Sequence, residues 1–134
     1  MTTGPNVPRG TNPTKAQEQA LGLAFPQLCQ YVQILGQEAV LQGLLGPREI
    51  DRIWDRHILN CAALNELIPQ VKSIIDIGSG AGLPGIVLAI MNPSTHVILV
   101  EPMQRRTDFL NDVKKQLNLE NVEIIRGRAE NQKI

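Results

Sequence analysis

Hydrophobic residues recur along the chain at two different spacings, and the change between them divides it. From Ala16 onward apolar side chains return every three or four positions, which predicts an N-terminal helical segment over residues 16–70. Pro26 interrupts this pattern, so we expect two helices or one kinked helix there. Gly46-Pro47, with Glu49 in the first turn, predicts a further helix start. That helix should carry one apolar stripe and end near Pro69.

From residue 71 the pattern alternates between short β-branched runs and helical stretches. Strands are predicted at Ser73–Ile77, His96–Val100 and Val122–Arg126, with helices at Gly85–Met91 and Met103–Leu117. Ser73–Ile77 has the composition of a buried strand. Strand, helix, strand, helix, strand predicts a parallel α/β sheet with right-handed crossovers. Because the sequence stops after three strands, we expect residues 71–134 to be the truncated first half of a Rossmann-like domain.

The ends of the chain and its cysteines suggest a soluble intracellular protein. Residues 1–15 are rich in proline and glycine, which predicts a flexible tail. We find neither a secretory signal nor an apolar run long enough to cross a membrane, so a cytoplasmic location is expected. Cys29 and Cys61 are far apart within helical stretches, and we interpret them as free thiols rather than a disulfide or a metal site.

Charge and aromatic content limit how the chain can contact a nucleic acid. The formal net charge is zero, with 13 basic and 13 acidic residues, so any contact with RNA must come from a local basic patch. Aromatic residues make up only 3% of the chain, which disfavours a binder that holds single-stranded RNA mainly by stacking.

A glycine-rich turn between the first predicted strand and its helix carries the strongest functional signal. It runs Asp76-Ile77-Gly78-Ser79-Gly80-Ala81-Gly82-Leu83-Pro84-Gly85. Glycines there let the backbone turn sharply and approach a ligand, and the next helix offers free N–H groups. Glu101 ends the second strand, where a carboxylate can accept the hydroxyls of a ribose.

Two ligands compete for this turn, since Gly80 to Gly85 also matches the dinucleotide fingerprint G-x-G-x-x-G. Asp76 favours S-adenosylmethionine, because a carboxylate before the glycines suits the cationic amino group of methionine and repels a pyrophosphate. The donor-site residues predicted from the pattern are Asp76, Gly78, Gly80, Gly82 and Glu101. A turn that binds no ligand stays open as an alternative.

Several stretches together resemble one family. These stretches are the glycine turn, Arg56-His57-Ile58-Leu59-Asn60, Leu99-Val100-Glu101-Pro102 and Leu119-Glu120-Asn121-Val122. They occur in the order and spacing of RsmG, the bacterial small-subunit ribosomal RNA methyltransferase family also called glucose-inhibited division protein B (GidB). The resemblance covers about residues 46–130 and is closest to the actinobacterial branch.

The resemblance implies a class I (Rossmann-like) methyltransferase sheet and an enzyme of ribosomal RNA processing. Its methyl donor would be S-adenosyl-L-methionine, its partner 16S ribosomal RNA or the small ribosomal subunit, and its product 7-methylguanosine. It further implies that Gly78 and Leu83 contact the donor and that Ala129 and Glu130 frame its adenine. No catalytic base is expected, because ring nitrogen 7 of guanine has a free lone pair and no proton at neutral pH.

The RNA-binding candidates lie in the helical segment. Arg52 and Arg56 are four residues apart, on one helical face, and His57 adjoins them. His57 is read either as a helix-surface histidine bonded to a carbonyl or as a contact to RNA. No metal site is expected around it. The alternatives left open are a methyltransferase for a small molecule or protein, a catalytically inactive RNA-binding fragment and, last, an NAD-linked oxidoreductase.

Basic residues of the last helix and strand offer a second possible RNA surface. Arg105, Arg106, Lys114 and Lys115 share one helix, near Arg126 and Arg128. They form either a solvated face or a rim that binds phosphate.

Overall fold

A computed structural model describes residues 12–132 of the chain. Most of the predicted tail, residues 1–11, lies outside the described residues. The first helix begins at Lys15, because Thr14 caps it. The Thr14 hydroxyl accepts a hydrogen bond from the Gln17 N–H at 3.2 Å, and the Gln17 side chain accepts one from the Thr14 N–H at 2.8 Å. This reciprocal pair satisfies two N–H groups that a helix start leaves free.

Helices make up most of the chain between Lys15 and Leu67. They are α1 (Lys15–Leu21), α2 (Phe25–Ile34), α3 (Pro47–Ile50) and α4 (Leu59–Leu67), with π-helical segments at Leu35–Ala39 and Ile53–Ile58. Pro26 lies in the first turn of α2, and a short 3₁₀ turn separates α2 from α1. The predicted interruption is therefore confirmed as two helices.

The prediction of one continuous helix from Pro47 to Pro69 was wrong. The chain leaves helical geometry at Arg52, with φ −123° and ψ 24°, and then continues as the π-helical segment Ile53–Ile58. In a π-helix residues five apart fall on one face, and Ile53 and Ile58 are accordingly both fully buried. Leu67, the last residue of α4, is 81% exposed.

The second part is a three-stranded parallel sheet, as predicted. Its elements are β1 (Ser73–Ile77), α5 (Gly85–Met91), β2 (His96–Glu101), α6 (Gln104–Leu117) and β3 (Val122–Arg126), in the order β1-β2-β3. Ile77 pairs with Val100, and Glu101 pairs with Arg126. The carboxyl ends of the three strands therefore coincide, and the loops that follow them meet at one edge.

The prediction that β1 is a buried strand was wrong for one of its faces. Ile74 and Asp76 are half-buried, whereas Ile75 and Ile77 are 44% and 65% exposed. Side chains alternate across a sheet, and α5 covers the face that carries Asp76 and Leu99. β1 is also an edge strand of the sheet that the structure describes.

One hydrophobic core joins the helical segment to the sheet. Buried residues from α2, the segment Ile53–Ile58, α5, β2 and α6 form a single cluster, and α2 contacts both α5 and α6. Helix α2 is thus part of the same packed body as the glycine turn. Among the helices of residues 12–132, none is long and apolar enough to span a bilayer.

Candidate functional site

The glycine turn leaves the sheet where β1 ends and runs over the end of β2. The Gly78 N–H donates to the Val100 carbonyl at 2.8 Å, which continues the β1–β2 ladder by one residue. Gly78 and Gly80 have φ values of +74° and +56°, in the region that favours glycine. A Cβ added at either position would meet no atom within 4 Å. The side of each residue on which a Cβ would project is therefore open.

A cavity of about 390 Å³ lies beside this turn. Its lining comes from the loops after all three strands: Ile77, Gly78, Val100, Pro102, Gly127, Arg128, Ala129 and Glu130. The structure thus brings Gly78 together with Ala129 and Glu130, the residues that the resemblance assigns to the donor and its adenine. The volume falls within the range of about 300–1,000 Å³ that small-molecule sites occupy.

Glu101 lies directly under the turn and holds it. One carboxylate oxygen accepts the Gly80 N–H at 2.9 Å, and the other accepts the Met103 N–H at 3.0 Å. Its side chain is 1% exposed. Both carboxylate oxygens are thus engaged by backbone N–H groups, and the side chain is shielded from solvent. The predicted ribose contact of Glu101 therefore stays a prediction, and the observed contact is to the protein's own backbone.

Asp76 occupies the opposite side of the turn, at the start of α5. Its Oδ2 accepts the Gly85 N–H at 2.9 Å, and the Ser79 hydroxyl donates to its backbone carbonyl at 3.1 Å. A Cβ at Gly85 would overlap the side chains of Leu99 and Asp76, so only glycine fits there. Burial raises the pKa of Asp76 and the charge of Glu101 adds to the rise, while the bonds from Gly85 and Ser79 oppose it. The Asp76 carboxylate is thus bonded and only partly hydrated.

The remaining predicted donor residues lie on the core side of the turn. Gly82 has φ +102° and is buried, and its N–H donates to the Ser79 carbonyl at 2.7 Å. Leu83 packs against the hydrophobic core and is not among the residues that line the cavity. A contact of Leu83 with the donor stays a prediction.

Tyr31 was missed as a site residue by sequence reasoning. It lies on α2, is fully buried, and its hydroxyl donates to the Ala81 carbonyl within the glycine turn at 2.6 Å. The sequence showed it only as a member of an apolar helical face. The available signal was chemical, since a tyrosine hydroxyl in a core needs a hydrogen-bond partner.

The RNA-binding candidates Arg52, Arg56 and His57 lie together around the start of the π-helical segment. Arg52 is bound to Asp55, with one N–O distance of 2.5 Å, and this contact lowers the pKa of the Asp55 carboxyl. The His57 ring is half-buried, with Nε2 3.7 Å from a carboxylate oxygen of Glu49. Arg56 is exposed and has no carboxylate within 4 Å among residues 12–132. The segment thus offers one free guanidinium group to a partner.

Cys29 and Cys61 are both half-buried and form no disulfide with each other. Burial raises the pKa of each, that of Cys61 to about 11. In the part of the chain that the structure describes, no three His, Cys, Asp or Glu side chains form a group that could hold a metal ion.

The second basic surface is partly engaged by the protein itself. The Arg126 guanidinium donates to the Pro102 carbonyl at 3.5 Å and to the Gln104 side chain. Arg105, Lys115 and Arg128 are exposed, and Arg106 and Lys114 are half-buried. A phosphate-binding role for this rim stays a prediction.

Comparison with known proteins adds a family match to this geometry. Residues 24–134 match the model of the GidB family, described as rRNA small subunit methyltransferase G. The matched range includes α2, the glycine turn and the cavity. It extends the resemblance beyond residues 46–130, the stretch that the sequence motifs covered.

Curated relatives carry the same description. A "Ribosomal RNA small subunit methyltransferase G" of Thermobifida fusca is 49% identical over 118 residues, which cover 88% of this chain and 50% of the relative. The protein of that name from Mycolicibacterium paratuberculosis is 54% identical over 94% of this chain and 52% of its own length. The chain spans about half the length of the curated relatives it matches.

Proposed function

Because this chain belongs to the rRNA small subunit methyltransferase G family, we propose that it forms the donor-binding part of an S-adenosylmethionine-dependent methyltransferase. Its substrate would be 16S ribosomal RNA or the small ribosomal subunit in the cytoplasm, and its product 7-methylguanosine. The observation that carries the proposal is the cavity where Gly78 meets Ala129 and Glu130 beneath an open glycine backbone.

The residues present fit such a donor chemically. Gly78 has open space where a Cβ would lie, and the cavity beside it is large enough for an adenosine-sized group. Asp76 supplies a partly buried carboxylate for an ammonium group, and its position before the glycines disfavours a pyrophosphate. Bound here, the donor would supply a methyl group on a positively charged sulfur.

The protein's own task would be to orient rather than to move protons. Guanine nitrogen 7 needs no general base, and holding two reactants in line can by itself supply several kcal/mol of the barrier, about 7–11 in favourable cases. A rigid loop suits this task. Hydrogen bonds from within the protein hold Gly80, Gly82 and Gly85 in place.

The donor class is tested by a pair of matched glycine variants in the full-length protein. Gly78 and Gly43 both have positive φ, +74° and +72°, and both have open space where a Cβ would lie. Alanine should destabilise the fold at either site by about 1 kcal/mol. Only Gly78→Ala should also weaken S-adenosylmethionine binding in calorimetry, because Gly78 lines the cavity. Equal donor affinity in the two variants would contradict the assignment.

Two further experiments, a comparison of ligand affinities and a methylation assay, separate the rival functions. The unaltered protein should bind S-adenosylmethionine more tightly than NAD, and tighter NAD binding would favour an oxidoreductase. Labelled methyl groups should then enter small-subunit RNA, and nucleoside digestion should yield 7-methylguanosine. Donor binding without RNA methylation would point to a small-molecule or protein substrate. RNA binding without donor binding would point to an inactive RNA-binding protein.

A further inference from the structure

Helix α2 reaches the glycine turn through the side chain of Tyr31. Tyr31 is 0% exposed, and its hydroxyl donates to the Ala81 carbonyl at 2.6 Å, across 50 residues of sequence. Ala81 is itself buried. A buried backbone carbonyl that loses its donor is left unsatisfied, which is unfavourable. The contact therefore fixes the middle of the turn to a helix outside the sheet.

Gly82, the next residue of the turn, leaves room for this hydroxyl. A Cβ added at Gly82 would lie 2.9 Å from the Tyr31 hydroxyl oxygen and 2.5 Å from Cγ1 of Ile86. Glycine at this position allows the tyrosine to come close, and its φ of +102° is one that other residues rarely adopt. Tyr31 and Gly82 are thus fitted to each other.

The hydroxyl remains a proton donor over the whole physiological range. Burial raises the pKa of Tyr31 well above its ordinary value, and Cys61 and Asp76 beside it add to the rise. No titration competes with the hydrogen bond to Ala81. The hydrogen bond from Tyr31 to Ala81 is therefore not lost by titration at physiological pH.

Two carboxylate side chains also hold the turn, each at a different point. Glu101 accepts the Gly80 N–H, and Asp76 accepts the Gly85 N–H. The Ala81 carbonyl between them is held from α2 alone among the hydrogen bonds of the described residues. Without Tyr31 the Ala81 carbonyl would lose this hydrogen bond, whereas the Gly82 N–H would still donate to the Ser79 carbonyl and the Gly82 carbonyl would still accept from Ile86.

We propose that Tyr31 is a positioning residue of the donor site, which sets the backbone of the glycine turn for ligand binding from helix α2. The identity of the ligand in this inference rests on the proposed function, whereas the effect of Tyr31 on the turn does not. Tyr31 touches the turn and not the cavity lining, so it acts through Ala81 and Gly82.

The experiment compares Tyr31→Phe with Gln27→Ala in the full-length protein. Phenylalanine keeps the buried ring and removes only the hydroxyl. Gln27 is a control on the same helix, since its side chain donates to the Leu117 carbonyl at the end of α6, at 2.8 Å, and not to the turn. Both variants remove one hydrogen bond that docks α2. Only one of the two bonds touches the donor site.

Two quantities are measured on each variant. Tyr31→Phe should weaken S-adenosylmethionine binding by about three- to tenfold, the range expected for one buried hydrogen bond. Amide hydrogen exchange in residues 80–83 should become faster even without donor. Gln27→Ala should lower the thermal midpoint while donor affinity and exchange in the turn stay unchanged.

The outcomes keep the two proposals apart. If the unaltered protein binds no donor, the proposed function fails, and exchange in the turn alone decides the role of Tyr31. Unchanged exchange in Tyr31→Phe overturns the positioning role whatever the ligand is. So does equal loss of donor affinity in both variants, or a Tyr31→Phe protein that does not fold, because the hydroxyl would then support the core as a whole.

Discussion

At the scale of single residues, Asp76 is subject to two opposing effects: burial favours its protonated form, and a hydrogen bond favours its carboxylate. Burial disfavours its charge and raises its pKa above the ordinary value of 3.8, while the Gly85 N–H stabilises the carboxylate. A carboxyl whose folded pKa is raised stabilises the fold most at low pH. That contribution is lost as pH rises through the raised pKa.

Asp76→Asn should therefore be at least as stable as the unaltered protein at neutral pH, because the amide oxygen can still accept the Gly85 N–H and no charge is buried. The difference in unfolding free energy should shrink as pH falls from neutral through the raised pKa toward 3.8. Donor affinity should drop about tenfold or more, since a charge-assisted contact to the ammonium group is lost. Denaturant titrations at several pH values and calorimetry check both parts.

Asp55 provides the control for the sign of this effect. Its side chain is 38% exposed and is bound to Arg52, which lowers its pKa. Its contribution to stability is present above the ordinary pKa and is lost as pH falls through the lowered one. Asp55→Asn should thus show its largest loss at neutral pH and no change in donor affinity. The same pH trend in both variants would show that the Asp76 surroundings have been misread.

At the scale of elements, the π-helical segment Ile53–Ile58 decides which basic side chain is free. The sequence placed Arg52 and Arg56 as equivalent neighbours on one helical face. In the structure both arginines are exposed, but Arg52 lies at the break before the segment and pairs with Asp55, whereas Arg56 has no carboxylate within 4 Å among residues 12–132. The two guanidinium groups should therefore contribute unequally to RNA binding.

Arg56→Ala should weaken binding to small-subunit RNA and lower the slope of log affinity against log salt by about one, as for the loss of one phosphate contact. Arg52→Ala should have a smaller effect on both quantities, because its charge is already compensated. Donor affinity should stay the same in each variant. Filter binding over a salt series, with donor titration on the same proteins, makes the comparison. A larger effect from Arg52 would contradict this reading of the segment.

The elements also show what local pattern can and cannot predict. The bounds of β1, α5 and β3 follow from β-branched runs and glycine or proline breaks that act within a few residues. The π-helical segment does not, because it depends on how Ile53 and Ile58 reach a common core. Likewise Gly78 was identifiable from its motif, whereas the bond from Tyr31 to Ala81 joins residues 50 positions apart and has no local signature.

At the scale of the whole molecule, β1 has an apolar face on which Ile75 and Ile77 are exposed, and it is an edge strand of the sheet among residues 12–132. Ile75 is 44% exposed on a strand that pairs only with β2 among residues 12–132. An open hydrophobic strand edge is a template for pairing with another chain. The chain of residues 1–134 should therefore self-associate as its concentration rises.

Ile75→Thr should reduce this association, because threonine keeps β-branching while removing apolar surface. Leu23→Thr serves as the control, since Leu23 is fully exposed but lies between α1 and α2, away from any strand. Sedimentation velocity over a range of concentrations measures the effect. If Leu23→Thr reduces association as much as Ile75→Thr, general surface hydrophobicity rather than the β1 edge is responsible.

The contacts of helix α2 also set an order of events during synthesis. Gln27 bonds to the Leu117 carbonyl, 90 positions later, and Tyr31 bonds to Ala81. Helix α2 is synthesised early, so its apolar face stays uncovered on the ribosome until most of the sheet has emerged. Long-range contacts of this kind fold slowly and leave an intermediate open to chaperones. Nascent chains stalled before Leu117 should remain sensitive to protease at α2, and those stalled well beyond it should become resistant.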